Sequence, residues 1–350
     1  DLTQLVDTSD EWITTRTGIK SRRVAVEETN ADLAEAAARQ AMGLVEGGYC
    51  EAPIDPESID LVVYSTCTPD VLVPSCAALV RRRLGLVNAV AFDVNAACSG
   101  FIYAMSVAES MMAASAAGVA GAGRRNKVRR ALVIGSERLT RITNWEDRTT
   151  CVLFGDGGGA AVVEWDEGRA GVLATFMKND DDDANALTCP SAFDSPQPFD
   201  VNGVSKEAAV AGDPGNARID EELGVTEAVA AGRPRQSLFM HGQTIFKFAA
   251  SAMGNAIDEV CKRADVDISD VKLIVPHQAN ERIIKYAAKR CGLPLDRFQV
   301  SIGDRGNASS ACVPMALSDA YESGRIQKGD KVILVAFGGG LTSGAVLYEV

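Results

Sequence analysis

A single cysteine carries the first chemical signal. Cys98 ends the run Phe92-Asp-Val-Asn-Ala-Ala-Cys98, where an apolar strand pattern gives way to a helix pattern through Met105, Val107, Ala108 and Met111. A thiol in the first turn of a helix faces unpaired N–H groups and the positive end of the helix dipole. That setting favours the thiolate, the nucleophilic form of cysteine. Ala96, Ala97, Ser99 and Gly100 leave room for a substrate beside the sulfur. A lone cysteine in an alanine-rich helix is more often a small buried hydrophobe, so the reading needs partners elsewhere. The chain has only two histidines, His241 and His277. His277 closes the apolar run Val271-Lys-Leu-Ile-Val-Pro-His277, and a helix pattern follows through Ile283, Ile284, Tyr286 and Ala287. Open α/β sheets place their sites at such strand-to-helix junctions. Pro276 removes a ladder donor just before the histidine.

The elements that must position these residues occur twice. Ile59–Tyr64 and a helix ending at Arg83-Leu-Gly85 are answered by Val271–Val275 and a helix ending at Arg290-Cys-Gly292. Phe92–Ala97 is answered by Val300–Ala308, each leading into a small-residue helix. Ala131–Gly135 pairs with Lys331–Val335, and Gly157–Glu164 with Gly344–Glu349, the latter preceded by Gly338-Gly-Gly340. Alternating strands and helices predict mostly parallel sheets covered on both faces. A duplicated α/β unit brings equivalent loops together about a pseudo-twofold axis, so Cys98, Asn307 and glycines 338–340 are expected to converge. The expected division is an N-terminal half over residues 1–175, an insertion or connecting segment over 176–235 and a C-terminal half over 236–350. The stretch 111–130, with its basic cluster Arg124-Arg-Asn-Lys127, and the acidic run Asp180-Asp-Asp-Asp183 read as solvated surface insertions.

Composition narrows the function. A chain of 350 residues holds a large core or two similar halves. Nine cysteines, an odd number without paired spacing, indicate reduced thiols rather than a disulfide frame. No C-x-x-C pair occurs, and two distant histidines argue against zinc, so no metal is expected. A net charge of −12 argues against nucleic acid. No apolar run reaches membrane-spanning length and no signal-peptide pattern opens the sequence, which predicts a soluble protein without a membrane partner.

Four stretches together resemble one family, the β-ketoacyl-acyl carrier protein synthase III enzymes of the thiolase superfamily. They are Asp7-Thr-Ser-Asp-Glu-Trp-Ile-Thr-Thr-Arg-Thr-Gly18, Asp93-Val-Asn-Ala-Ala-Cys-Ser-Gly-Phe101, Pro276-His-Gln-Ala-Asn280 and Gly306-Asn-Ala-Ser-Ser310. The resemblance implies a thiolase-like α/β fold, with duplicated halves and mixed sheets in a layered αβαβα arrangement. It implies Cys98 as nucleophile, with His277 and Asn307 completing the catalytic set. The thiolate would take an acyl group, acetyl first among the candidates, from a coenzyme A thioester. Malonyl-acyl carrier protein would then lose carbon dioxide and condense with the acyl-enzyme. His277 and Asn307 would stabilise the malonyl thioester oxygen, and the backbone N–H groups of Cys98 and Gly339 would form an oxyanion hole. Coenzyme A is then a substrate, and no tightly bound cofactor is implied.

Further contacts follow from the same resemblance. Trp12 would stack on adenine, with Arg148 on the other face and Arg16 near the phosphates. Phe246 and Asn280 would line the pantetheine channel. Leu139, Phe154 and Met240 would surround the acyl group, with Val73 reaching into the partner subunit's pocket in a homodimer. Lys247, Arg282 and Lys285 would dock the acidic carrier protein. The compartment would be cytoplasmic in a bacterium and the plastid stroma in a eukaryote. The sequence departs from the family pattern in beginning after its first strand, in Val73 for phenylalanine, in Gln243 for asparagine and in Ser343 for tryptophan. A polyketide-priming synthase of the same fold and a catalytically inactive scaffold are the alternatives. A degradative thiolase would carry a second cysteine within 337–344, and none is there. Gly155-Asp-Gly-Gly-Gly159 leads into a strand-like run rather than a helix, so the dinucleotide fingerprint fails.

Overall fold

The computed structural model describes residues 1–45, 52–118, 127–168, 171–182, 184–191, 214–234 and 236–350. Arg124, Arg125 and Asn126 of the basic cluster lie outside these, as do Asp183, residues 192–213 and residue 235 of the 176–235 segment. The first sheet contains β1 (Leu61–Ser65), β2 (Val90–Val94), β3 (Arg130–Arg138) and β4 (Asp156–Glu164) in the order β2-β1-β3-β4. Strands β1, β2 and β3 run parallel, and β4 returns antiparallel to β3. The second sheet contains β5 (Val172–Asn179), β8 (Val271–Pro276), β9 (Lys331–Gly338) and β10 (Thr342–Glu349) in the order β5-β10-β9-β8. Here β8 and β9 are parallel, and β10 is antiparallel to both neighbours. The short strands β6 (Leu187–Thr188) and β7 (Phe239–Met240) pair with each other.

The continuous apolar runs of the sequence are the strands buried on both faces. All five residues of β1 are buried, as are all but the first of β9. Edge strand β2 is half exposed and tolerates Asp93. That carboxylate accepts the backbone N–H groups of Cys76 and Ala77 at 2.8 and 2.7 Å, holding the start of the helix that precedes β2.

Helices fill three layers. Facing outward on the first sheet are α2 (Asn30–Ala41) and α3 (Cys76–Arg83), which follow α1 (Asp10–Thr17). Between the sheets lie α4 (Gly100–Ala116) and α10 (Cys312–Glu322). Separating them in sequence are α5 (Arg148–Cys151), α6 (Pro214–Glu222) and α7 (Thr226–Ala230). On the outer face of the second sheet are α8 (Gly242–Ala264) and α9 (Glu281–Arg290). This is the expected αβαβα order. The central layer is one apolar cluster that joins Phe101, Met105 and Val313 to residues of both sheets.

The duplication holds for β1, β3 and β4 against β8, β9 and β10. It fails for Val300–Ala308, expected to answer the strand at Phe92. The second copy reduces that strand to a single bridge between Ile274 and Phe298. Side chains divert the backbone there: the Ser301 N–H donates to the Gln278 amide oxygen at 2.8 Å, and a 3-10 turn follows over Ile302–Asp304. Strand β5 begins before residue 175 yet belongs to the second sheet, so the seam between the sheets falls between β4 and β5.

The halves interlock where Gly135 of β3 meets the turn at Ser310 and Ala311, just before α10. A Cβ there would sit 2.4 Å from the Ser310 carbonyl oxygen. Gly135→Ala is therefore expected to cost about 3 kcal/mol in urea unfolding. Gly171→Ala, where a Cβ meets nothing within 4 Å, should stay within about 0.5 kcal/mol.

Candidate active site

Two elbows of the same shape face each other between the sheets. In the first, Ala97 adopts a left-handed φ of 45°, Ala97–Ser99 form a 3-10 turn, and α4 starts at Gly100. In the second, Ser309 has φ 49°, Ser309–Ala311 form the 3-10 turn, and α10 starts at Cys312. Each turn is held by an asparagine two residues before the strained position. The Asn95 side-chain oxygen accepts the Ala97 N–H at 3.1 Å, and that of Asn307 accepts the Ser309 N–H at 2.8 Å. Cys98 thus corresponds to Ser310. A non-glycine residue at positive φ costs energy and persists where the surroundings hold it. Thr342 of β10 supplies part of that hold: its hydroxyl reaches the Ala96 carbonyl at 3.2 Å and the Ser99 hydroxyl at 3.1 Å.

Cys98 is buried and sits just ahead of α4 rather than within its first turn. Burial pushes its thiol up to about 12, against the expectation of a stabilised thiolate. Desolvation is the largest cause, and the nearby Glu137 carboxylate pushes the same way. Ser309 acts in the opposite direction: its hydroxyl is buried, makes no hydrogen bond of normal geometry, and its proximity favours the thiolate.

His277 follows β8, with its N–H on the Val335 carbonyl at 2.8 Å and its ring edge-to-face with Phe337 at 5.3 Å. Burial lowers the imidazole pKa to about 3, so the ring is neutral near pH 7 and carries one N–H. Its Nδ1 has no hydrogen-bond partner among the described residues. Asn307 is positioned by Leu153, whose carbonyl accepts its N–H at 2.9 Å, and by Gly155, which donates to its carbonyl at 3.0 Å.

Cys98, His277 and Asn307 line one cavity of about 260 Å³, together with Trp12, Arg16, Arg148, Phe154, Met240, Phe246, Asn280 and Arg282. The apolar end holds Phe154 and Met240, and the other end carries arginines around an indole. This matches an apolar group attached to a long anionic handle.

Comparison with known proteins agrees with the geometry. Family models described as 3-oxoacyl-acyl carrier protein synthase III and its C-terminal region match residues 92–181 and 261–350. A Xanthomonas campestris protein named beta-ketoacyl-acyl carrier protein synthase III is 41% identical over 348 residues, 99% of this chain and 92% of the relative. A Clostridium beijerinckii protein of the same name is 39% identical over 99% of this chain and 93% of its own length. The chain belongs to the 3-oxoacyl-acyl carrier protein synthase III family. The solved Aquifex aeolicus synthase III superposes with a TM-score of 0.79 at 37% identity, covering 100% of this chain and 94% of that one. A priming β-ketosynthase of the R1128 polyketide pathway gives 0.78 at 31% identity, covering 99% and 90%.

The remaining residues implied by the family resemblance divide into groups. The Trp12 ring has the Arg16 guanidinium at 4.5 Å and that of Arg148 at 4.8 Å. Asn280 lines the cavity, but its amide also caps α9 on the Arg282 N–H at 2.9 Å and donates to the Arg16 carbonyl at 3.1 Å. Leu139 does not reach the cavity surface; it is buried behind the wall in the cluster with Phe154 and Met240. Val73 is 86% exposed and outside this chain's own cavity. Gly338 packs against Cys98, where an added Cβ would lie 2.7 Å from the Cys98 nitrogen. Gly339 follows it and packs on Leu187. Lys285 is paired with Glu281 at 2.7 Å, whereas Arg282 and Lys247 are exposed and make no ion pair among the described residues.

Sequence reasoning missed Glu137. It is wholly buried near the end of β3 and forms no ion pair among the described residues. Its carboxylate accepts the hydroxyls of Thr66, Thr68 and Ser310 at 2.9, 2.6 and 2.8 Å and the N–H groups of Cys67 and Thr68 at 3.1 Å. Burial raises its pKa despite these donors. The available signal was a charge at the end of the apolar run Ala131–Ile134.

A thiol with a pKa near 12 gains thiolate about tenfold per pH unit below that value. Alkylation of Cys98 by iodoacetamide should therefore rise with pH from 7 to 9 without a plateau. Ser309→Ala should slow it throughout. A plateau below pH 8 would show that the resting thiol is already ionised.

Proposed function

We propose that this chain is the condensing acyltransferase that initiates fatty acid synthesis, and that Cys98, His277 and Asn307 divide its two half-reactions. In the first, the Cys98 sulfur attacks the carbonyl of a short acyl-coenzyme A, for which we assign acetyl-coenzyme A. The carbon–sulfur bond to coenzyme A breaks, the acyl group stays on Cys98, and the cysteine proton ends on the departing coenzyme A thiol. The backbone N–H groups of Cys98 and Gly339 stabilise the tetrahedral oxyanion. Trp12, Arg16 and Arg148 hold the nucleotide end, adenine entering between the indole and Arg148. Phe246 and Asn280 flank the pantetheine arm.

In the second half-reaction, malonyl-acyl carrier protein loses carbon dioxide. The electron pair of the broken carbon–carbon bond forms an enolate, whose carbon attacks the acyl-enzyme and releases Cys98. The neutral His277 ring places its proton on Nε2 when the thioester oxygen is there to accept it. Asn307 contributes its amide N–H beside it. The carrier docks on Arg282 and Lys247, whose charges no carboxylate neutralises among the described residues.

We further assign a homodimer. Edge strand β2 and the exposed Val71, Leu72, Val73, Val87 and Val90 support that reading as apolar surface, and in it Val73 enters the partner's acyl pocket.

The observation that carries this reading is the junction of one buried thiol with two neutral donors in a cavity that ends in arginines around an indole. His277→Ala and Asn307→Ala should retain single-turnover acylation within about tenfold and lose carbon dioxide release from malonyl-acyl carrier protein by about a hundredfold or more. Cys98→Ala should lose acylation and keep decarboxylation. Decarboxylation by Asn307→Ala at the wild-type rate would reject this division.

A further inference from the structure

Asn307 can serve as a donor only if its amide is turned the right way, and the structure shows what turns it. A backbone N–H can only donate, so the Ser309 N–H at 2.8 Å identifies the atom facing it as the Asn307 oxygen. In the first elbow one such bond suffices, because Asn95 is exposed and water completes its needs. Asn307 is buried, and one accepted bond leaves its second lone pair unmet. The group that meets it is Cys312, whose sulfur lies 3.6 Å from the Asn307 oxygen.

Cys312 occupies the place that Gly100 occupies in the first elbow, so this contact belongs to the second elbow alone. Its sulfur accepts the Ala308 N–H at 3.2 Å, and its second acceptor within reach is the Gln278 carbonyl at 3.8 Å. Gln278 follows His277 directly. The thiol therefore touches the loops that carry both neutral donors. Cys312 is 1% exposed, and burial raises its pKa, so it stays protonated and able to donate.

We propose that Cys312 is a positioning residue: its S–H occupies the second lone pair of the Asn307 oxygen and thereby holds the amide N–H₂ toward the substrate. The inference rests on the reading that Asn307 donates to the malonyl thioester oxygen. With only the Ser309 N–H to hold its oxygen, the amide would sample more often the flipped orientation, in which its oxygen faces the developing enolate and repels it.

The test compares Cys312→Ala, Cys312→Ser, Asn307→Ala and the double variant Asn307→Ala/Cys312→Ala in two assays, carbon dioxide release from malonyl-acyl carrier protein and single-turnover acylation of Cys98. Cys312→Ala should decarboxylate about tenfold more slowly, one modest hydrogen bond's worth, with acylation changed less than twofold. Cys312→Ser, which keeps a donor, should recover at least half of the lost rate. The double variant should be no slower than Asn307→Ala, since Cys312 acts through Asn307. The inference is overturned if Cys312→Ala decarboxylates normally while Asn307→Ala does not, if serine fails to rescue, if both half-reactions fall together, or if the two losses add. Normal decarboxylation by Asn307→Ala would instead remove the underlying reading of the site.

Discussion

A carboxylate with no counter-ion among the described residues, buried between the two sheets, is the constraint on which the site depends. Glu137 is stable there only because hydroxyl and backbone donors surround it. Those donors come from two places: the loop after β1, through Thr66, Cys67 and Thr68, and Ser310 in the second elbow. Removing any of them leaves a buried charge short of partners, which costs more than the bond itself contributes. Glu137 therefore couples the strand order of the first sheet to the position of the elbow that carries Asn307. The Ser310 hydroxyl also lies 3.1 Å from the Ser65 carbonyl of β1, so its place is fixed from both strands.

Duplication explains why the two elbows meet, and their differences explain why they do different work. Both have an asparagine, a strained residue and a 3-10 turn leading into a central helix. In the first, the residue after the strained position is Cys98, open to the cavity. In the second, the equivalent Ser310 is turned inward to Glu137, and the asparagine faces the cavity instead. Small residues let the copies approach: the Cβ of an alanine at Gly100 would lie 1.8 Å from the Ser65 hydroxyl oxygen. Under the proposed function one structural unit yields the nucleophile in one copy and the amide donor in the other, while the residue after β8, His277, stands alongside.

Much of this was legible in the sequence because its signals are local. The turn motifs around Cys98 and His277 each mark a strand-to-helix junction, the motif around Asn307 marks the start of a small-residue helix, and the repeated run of strands orders the layers. What was not legible depends on contacts distant in sequence. The helix end next to Cys98 is visible in the chain, but the burial that raises its thiol pKa is not, so the expected thiolate is not the resting form. Leu139 and Phe154 read alike as apolar positions, and only packing places one behind the other. The strand expected at Val300 is lost to side-chain bonds from Gln278, which no periodicity reveals. Glu137 is a single acid in the sequence and acquires meaning only from partners as remote as Ser310.

The convergence of the two elbows on one reactive sulfur is tested most directly by locating the acyl group. The protein is incubated with acetyl-coenzyme A, and its cysteine peptides are mapped by mass spectrometry. The account predicts one acetyl group, on Cys98, and none in Cys98→Ala. Acetyl on Cys67, which borders the same apolar cluster, or acetylation that survives in Cys98→Ala, would contradict it.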